Sequence, residues 1–244
     1  KLISNKFRWL YIIISIITIL SAVLVSLVGN DPKYFLVSVI YILIISSFSI
    51  YYIYESFGKK GLVGLIFVAI FAYFIENMGI ITGFPYGNFY YSSAMGPKIF
   101  HTPITLALAY VPLVIGAYVL CDFIKSKLYR ILSMTGILLM FDLVIDPGAV
   151  KLGLWIWENP GIYYGIPFTN FLGWIFSGLI ASAILVYMLN GLKPSKNLKY
   201  SIITSYYLML FYTTICLMHL MLIPSILGIG IVAYLTSVLE FNYG

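Results

Sequence analysis

Residues 9–28 read WLYIIISIITILSAVLVSLV, a run of twenty positions without one charge. A helix needs about 20 such residues to cross the hydrocarbon core of a bilayer. Runs of the same kind follow at 35–54, 62–81, 103–120, 128–145, 171–189, 200–220 and 224–239. The expected architecture is an all-α, polytopic transmembrane bundle of about eight spans in one domain covering residues 1–244, or of seven if the short final run does not cross. Composition agrees: charged residues are 9% and hydrophobic residues 62%. A soluble domain carries about 25% charged residues, so this chain lacks the polar side chains to cover a water-facing surface.

The positive charges test that map independently. Lys1, Lys6 and Arg8 precede the first run; Lys59 and Lys60 follow the second; Lys125, Lys127 and Arg130 follow the fourth; Lys193, Lys196 and Lys199 follow the sixth. Only Lys33, Lys98 and Lys151 fall in the alternate loops. The positive-inside bias then puts the N-terminus in the cytoplasm of a multi-pass cell-membrane protein. The net charge of +6 reports topology and contact with anionic membrane lipids, and predicts no nucleic-acid partner. The first run is too long for a signal peptide and no small-residue cleavage site follows it, so it is read as a retained anchor. Cys121 and Cys216 lie inside runs and suggest no disulfide or metal framework. No small-residue seam specifies an oligomeric state.

Five of the eight acidic residues are Glu76, Asp122, Asp142, Asp146 and Glu158. Four of them belong to two aromatic-rich stretches, FIENMGIITGFPYGNFYY at 74–91 and FDLVIDPGAVKLGLWIWENPGIYYGIPFTNFLGW at 141–174. A carboxylate near hydrocarbon is costly and marks a candidate functional site. Glu76 sits shortly before the end of its run. Asp142 and Asp146 are four apart and share a helix face. Asp146 precedes Pro147, where the helix is expected to end, and Asp146 has an alternative role in satisfying turn donors there. Asp122 and Glu55 lie among lysines, where solvated pairing accounts for them. Asp31, Glu158 and Glu240 read as turn or terminal residues.

Two loops join these acids to the next spans, at 82–102 and 146–170, and both face the non-cytoplasmic side on this map. Each is punctuated by Gly and Pro into turns and interleaved with aromatics. An interfacial aromatic belt explains scattered Tyr and Trp. It does not explain the clustered Gly, Pro and acids. Irregular backbone at membrane depth survives where it is buried in protein or lines a cavity, so the loops are expected to close over a cavity in the bundle. His101 and His219 lack the spacing of a metal-ligand set. Asp142-x-x-x-Asp146 matches one of the two acidic clusters that intramembrane prenyltransferases use for Mg²⁺ and diphosphate, and the second cluster is missing.

The two stretches carry a resemblance. Glu76-x-x-Gly79-x-x-Thr82-Gly83-x-Pro85-Tyr86-Gly87-x-x-Tyr90, then Thr102-Pro103-Ile104, resembles the carotenoid biosynthesis protein family of bacteria and archaea. So does Asp142-x-x-x-Asp146-Pro147, then Gly153-x-Trp155-x-Trp157, then Tyr164-Gly165-x-Pro167-x-x-Asn170-x-x-Gly173-Trp174. The family includes the carotenoid 1,2-hydratases, bisanhydrobacterioruberin hydratases among them. Two positions depart from its pattern: Tyr110, where Trp is expected, and His101, where a small residue is commoner.

The resemblance implies addition of water to the terminal C1=C2 bond of an acyclic carotenoid or a related polyprenyl chain, a hydro-lyase reaction that calls for no cofactor and no metal. The residues suit that chemistry. Protonating an alkene needs a carboxylic acid that stays protonated, which an apolar setting favours. The tertiary cation then needs electron-rich ring faces, and water needs a carboxylate to take its proton. Asp142 is the expected acid, with Glu76 or Asp146 positioning and deprotonating water. Tyr86, Tyr90, Tyr91, Trp155, Trp157, Tyr164, Asn170, Trp174 and His101 are the expected substrate contacts. The third to sixth spans are expected to form the tunnel. Two other readings use the same cavity: an acid-initiated isoprenoid cyclase, in which an internal double bond captures the cation, and a non-catalytic lipid or isoprenoid carrier, which needs the aromatics and not the acids.

Overall fold

A computed structural model of the chain describes residues 5–195 and 197–240. Lys1 and Lys196, counted above among the basic loop residues, lie outside the described residues, as do the side chains of Lys6, Arg8 and Glu240. Among the described residues seven α-helices make up the body: α1 (Asn5–Val28), α2 (Phe35–Thr82), α3 (Leu106–Leu120), α4 (Lys127–Lys151), α5 (Phe168–Met188), α6 (Ile203–Met218) and α7 (Leu222–Glu240). Among the described residues, six helical runs are long and apolar enough to cross a membrane. The chain is an all-α membrane bundle.

Helix α2 covers two of the expected spans. Its backbone leaves helical geometry at Gly58, with φ 60° and ψ −145°. Positions 53 and 61 of an unbroken helix would stand ~12 Å apart. Here a Cβ on Gly61 would lie 2.9 Å from the Ile53 carbonyl oxygen. The chain therefore doubles back at Gly58, and Gly61 is where the two arms touch. The far ends agree: Gly96, beyond the end of α2, packs directly against the ring of Phe35 at its start. The short helix is α3, of 15 residues, rather than the last one. Residues before it are drawn into a two-stranded pairing of β2 (Lys98–Ile99) with β3 (Thr102–Pro103).

Two helices run through a proline. Pro112 lies inside α3 and Pro147 inside α4. Each removes one N–H and leaves the carbonyl four residues earlier without its helical partner. Both carbonyls are answered from another element. Ser46 Oγ donates to the Leu108 carbonyl at 2.6 Å, and Tyr163 Oη donates to the Leu143 carbonyl at 2.8 Å. This is why α4 does not end at Asp146, as the sequence suggested, but continues to Lys151.

The core between the helices is largely aliphatic, with Ile45, Ile53, Val114, Ile115, Met134, Leu138, Leu185, Ile202 and Met209 at 0% exposure. Large apolar side chains such as Leu20, Leu36, Ile70 and Phe74 face outward, as lipid contact requires. At one end Glu55 accepts from Asn197 Nδ2 (2.8 Å) and Asp122 pairs with Arg130 (2.6 Å). At the other, Asp31 accepts from the Lys33 backbone N–H and pairs with its ammonium.

Removing a hydroxyl that covers a proline-freed carbonyl should cost about 1–3 kcal/mol, the penalty for a buried polar atom left unpaired. Ser46→Ala is expected to lower the thermal unfolding midpoint of the detergent-solubilised protein. Ser47→Ala, next to it and bonded only to the exposed turn at Ile44, should leave the midpoint nearly unchanged.

Candidate functional site

The two aromatic loops are joined to each other. β1 (Phe89–Tyr91) pairs antiparallel with β4 (Trp155–Trp157), with Phe89 opposite Trp157, Tyr90 opposite Ile156 and Tyr91 opposite Trp155. Alternation along a strand puts neighbours on opposite faces. Phe89, Tyr91 and Trp157 turn inward and are buried, while Tyr90 is 47% exposed. The ribbon is tied to the bundle by Trp157 Nε1, which donates to the Tyr86 carbonyl at 3.2 Å.

The Tyr86 ring is held between two glycines. A Cβ on Gly79 would stand 2.9 Å from it, and one on Gly173 would stand 2.5 Å from it. Both distances are inside normal contact, so α2 and α5 close on the ring only because neither carries a side chain there. That clamp places an aromatic face one helical turn from Glu76.

The acids converge. Glu76 on α2 and Asp142 and Asp146 on α4 are all buried. Asn170, in the first turn of α5, donates from Nδ2 to Asp146 Oδ2 at 2.6 Å and to Asp142 Oδ2 at 3.1 Å. One amide thus holds both carboxyls of the i, i+4 pair. Glu76 accepts from Tyr91 Oη at 2.8 Å and lies within electrostatic reach of Asp146. Burial and the nearby Glu76 carboxyl push the Tyr86 and Tyr91 phenols well above the usual tyrosine range, so both remain neutral donors.

A cavity of about 540 Å³ opens in front of this cluster, a size usual for small-molecule sites. Glu76 and Asp146 are in its wall together with Tyr86, Tyr91, Trp155, Trp157, Asn170 and Trp174. Asp142 is not; it sits one helical turn before Asp146 on α4 and is bonded to the same Asn170 Nδ2. Three expected contacts are elsewhere. Tyr90 points away on its strand. His101 is exposed, and its backbone N–H donates to Asn77 Oδ1 at 2.9 Å. Tyr164, in a left-handed backbone conformation (φ 52°), packs edge-on against Tyr163.

The cavity also has walls that sequence reasoning missed. Phe89, Tyr110 and Tyr212 contribute, as do Ser21 and Leu24 of α1 and Tyr41 of the first arm of α2. The tunnel is therefore not confined to the third to sixth runs. The strand alternation of FYY was a readable signal for Phe89; nothing local marked α1. Tyr110, where the family pattern suggested Trp, stacks on Trp174 with ring centres 5.6 Å apart. Among the described residues no three His, Cys, Asp or Glu side chains are grouped to hold a metal ion.

Residues 36–235 match the family described as carotenoid biosynthesis protein. The bisanhydrobacterioruberin hydratase of Haloarcula japonica is 36% identical over 135 residues, which cover 53% of this chain and 46% of that protein. The chain thus spans about half the length of that relative in the match. No solved structure matches at a significant level.

Substituting Gly173 by Ala should drive a methyl group into the Tyr86 ring. The expected cost is about 1–3 kcal/mol of overpacking, read as a lowered unfolding midpoint. Gly136→Ala, at a helical position with open space around it, should be neutral or slightly stabilising.

Proposed function

The chain belongs to the carotenoid biosynthesis protein family, and from that premise we propose that it is a membrane hydratase. It adds water to a terminal double bond of an acyclic carotenoid or a related isoprenoid. The observation that carries this reading is the meeting of two buried carboxyls, Glu76 and Asp146, with Trp and Tyr faces in one largely apolar cavity, with a third, Asp142, joined to Asp146 through Asn170. The similarity to a protein named as a hydratase acting on bisanhydrobacterioruberin supports the same reaction type.

In this mechanism Asp146 is the proton donor, because it faces the cavity and Asp142 does not. Its O–H proton goes to one alkene carbon, and the π electrons form the new C–H bond. The neighbouring carbon becomes a tertiary cation. Trp155, Trp157, Trp174 and Tyr86 present ring faces to it, an attraction that strengthens when water is excluded. A water oxygen then forms the C–O bond, and its proton passes to Asp142. Asn170 Nδ2 holds the two carboxyls side by side, and the proton passes directly from Asp142 to Asp146, which resets the site. Glu76, oriented by Tyr91, also lines the cavity and stabilises the cation. The net change is one added water, with no electron transfer.

The cavity reaches the flank of the bundle. Leu24 and Val28 of α1 and Val37 of α2 line it and are also more than 60% exposed. A membrane-dissolved polyene would enter there without crossing water. In the proposed topology the acids sit towards the non-cytoplasmic face.

Asp146→Asn should lower hydration by ~10²–10⁴-fold, the usual share of a general acid, while the protein still binds substrate. The assay is mass spectrometry of pigments from a host that makes lycopene-type precursors. In water enriched in heavy oxygen the wild-type product should gain one labelled hydroxyl. An unlabelled cyclised product would make the chain a cyclase, and binding without any product would make it a carrier.

A further inference from the structure

Four buried polar atoms next to the acids make no hydrogen bond among the described residues: Tyr86 Oη, Tyr110 Oη, Ser177 Oγ and Asp142 Oδ1. Each belongs to a side chain no more than 3% exposed. They come from four separate elements, the loop after α2, α3, α5 and α4. Yet they share one place. The Tyr86 and Tyr110 rings both flank Trp174, at 6.4 and 5.6 Å between centres. Both hydroxyls are turned towards Ser177 Oγ and lie near the Asp142 carboxyl, and neither meets the distance and angle of a full hydrogen bond there.

Buried polar groups are normally paired, and a cluster that is not needs an explanation. The chemistry of this one is specific. Two phenols offer hydrogens, a carboxyl oxygen accepts, and a serine hydroxyl does either. An anion would face the Asp142 carboxyl. A metal ion would find one carboxylate and no imidazole or thiolate. A molecule that accepts two hydrogens and donates two satisfies all four atoms, and buried waters typically make about three such bonds. Position matters as much as valence. Tyr86 and Tyr110 stand in the cavity wall, while Ser177 and Asp142 lie behind it. The recess is therefore the polar bottom of an apolar chamber.

We propose that Tyr86, Tyr110, Ser177 and Asp142 together bind the water that becomes the product hydroxyl. The assignment rests on the hydratase reading and supplies its second substrate. Tyr86 and Tyr110 donate to the water oxygen in the resting site, and one of these two bonds is given up as that lone pair turns to the cation, while Ser177 and Asp142 hold the hydrogens. Asp142 Oδ1 accepts the hydrogen that leaves when the C–O bond forms. The same recess then receives the hydroxyl of the tertiary alcohol.

The test separates protonation from water capture. Purified protein in lipid vesicles would be given an acyclic carotenoid in water enriched in both deuterium and heavy oxygen. Protonation followed by loss of a proton returns the alkene carrying deuterium; capture adds a labelled hydroxyl. In Ser177→Ala and Tyr110→Phe, deuterium should still enter the recovered alkene, while the hydroxylated fraction falls ~10-fold or more. Because the result is a ratio within each sample, partial loss of folded protein does not affect it. An unchanged ratio in both variants would overturn the assignment. A density map of the resting wild type gives a second arm that needs no turnover. A water bonded to at least three of the four atoms supports the site, and a recess without one overturns it even if hydration is confirmed. If heavy oxygen enters no product of the wild type, it is the hydratase reading that falls, whatever the map shows.

Discussion

Inside a bilayer a carbonyl oxygen has no partner except the protein itself, and most of this structure follows from that constraint. The two helix prolines show it directly. Each frees a carbonyl, and each carbonyl is met by a hydroxyl from a distant part of the chain, Ser46 in one case and Tyr163 in the other. The second bond has consequences for the site. Pro147 directly follows Asp146, and Tyr163 belongs to the loop that carries Trp155 and Trp157. The bond that repairs the helix therefore also fixes the aromatic loop against the acidic helix. A helix that stopped at Asp146 would leave that carboxyl in a mobile turn rather than on a rigid face.

The same demand shapes the loops. Loop backbone at the mouth of an apolar chamber must find partners, and pairing β1 with β4 supplies them. Pairing brings alternation with it, which sorts the aromatic residues into an inner set and an outer one. The inner set, Phe89, Tyr91, Trp155 and Trp157, lines the cavity. Tyr91 also orients Glu76. Glycine at 79 and 173 then decides how near the Tyr86 ring can come. A lid of this kind is built from hydrogen bonds and small residues, and it leaves the large rings free to face the chamber.

Much of this could be read from the chain. The uncharged runs and the shortage of charged residues led to a membrane bundle. The rarity of acids in so apolar a sequence pointed to Glu76, Asp142 and Asp146; two of them, Glu76 and Asp146, line one cavity, and Asp142 is tied to Asp146 through Asn170. What could not be read has a common cause: it depends on contacts between segments far apart in sequence. Tyr90 and Tyr91 are indistinguishable until β4 is set beside them. Asp142 and Asp146 share a helix face, but only the packing of α5, through Asn170, determines which is at the wall. Pro147 looked like a terminus because Tyr163 was not yet in view. The walls from α1 are ordinary lipid-facing residues by every local measure.

A site that protonates an alkene has two opposed needs. The acid must keep its proton and the cation must survive, so bulk water has to be excluded. Yet a hydration consumes water, so one molecule has to be admitted. A uniformly apolar chamber meets the first need and fails the second. In the proposed hydratase, the cluster at Tyr86, Tyr110, Ser177 and Asp142 would answer both, because its polar atoms are confined to one recess while Trp and Tyr faces form much of the walls. Confinement also bears on outcome. A cation with no nucleophile beside it loses a proton or reacts with its own chain, which is the chemistry of an isomerase or a cyclase. On the proposed reading, the difference between these activities and hydration comes down to a few hydroxyls at the end of the cavity, and Tyr110, where the family pattern favours an indole, brings one of them.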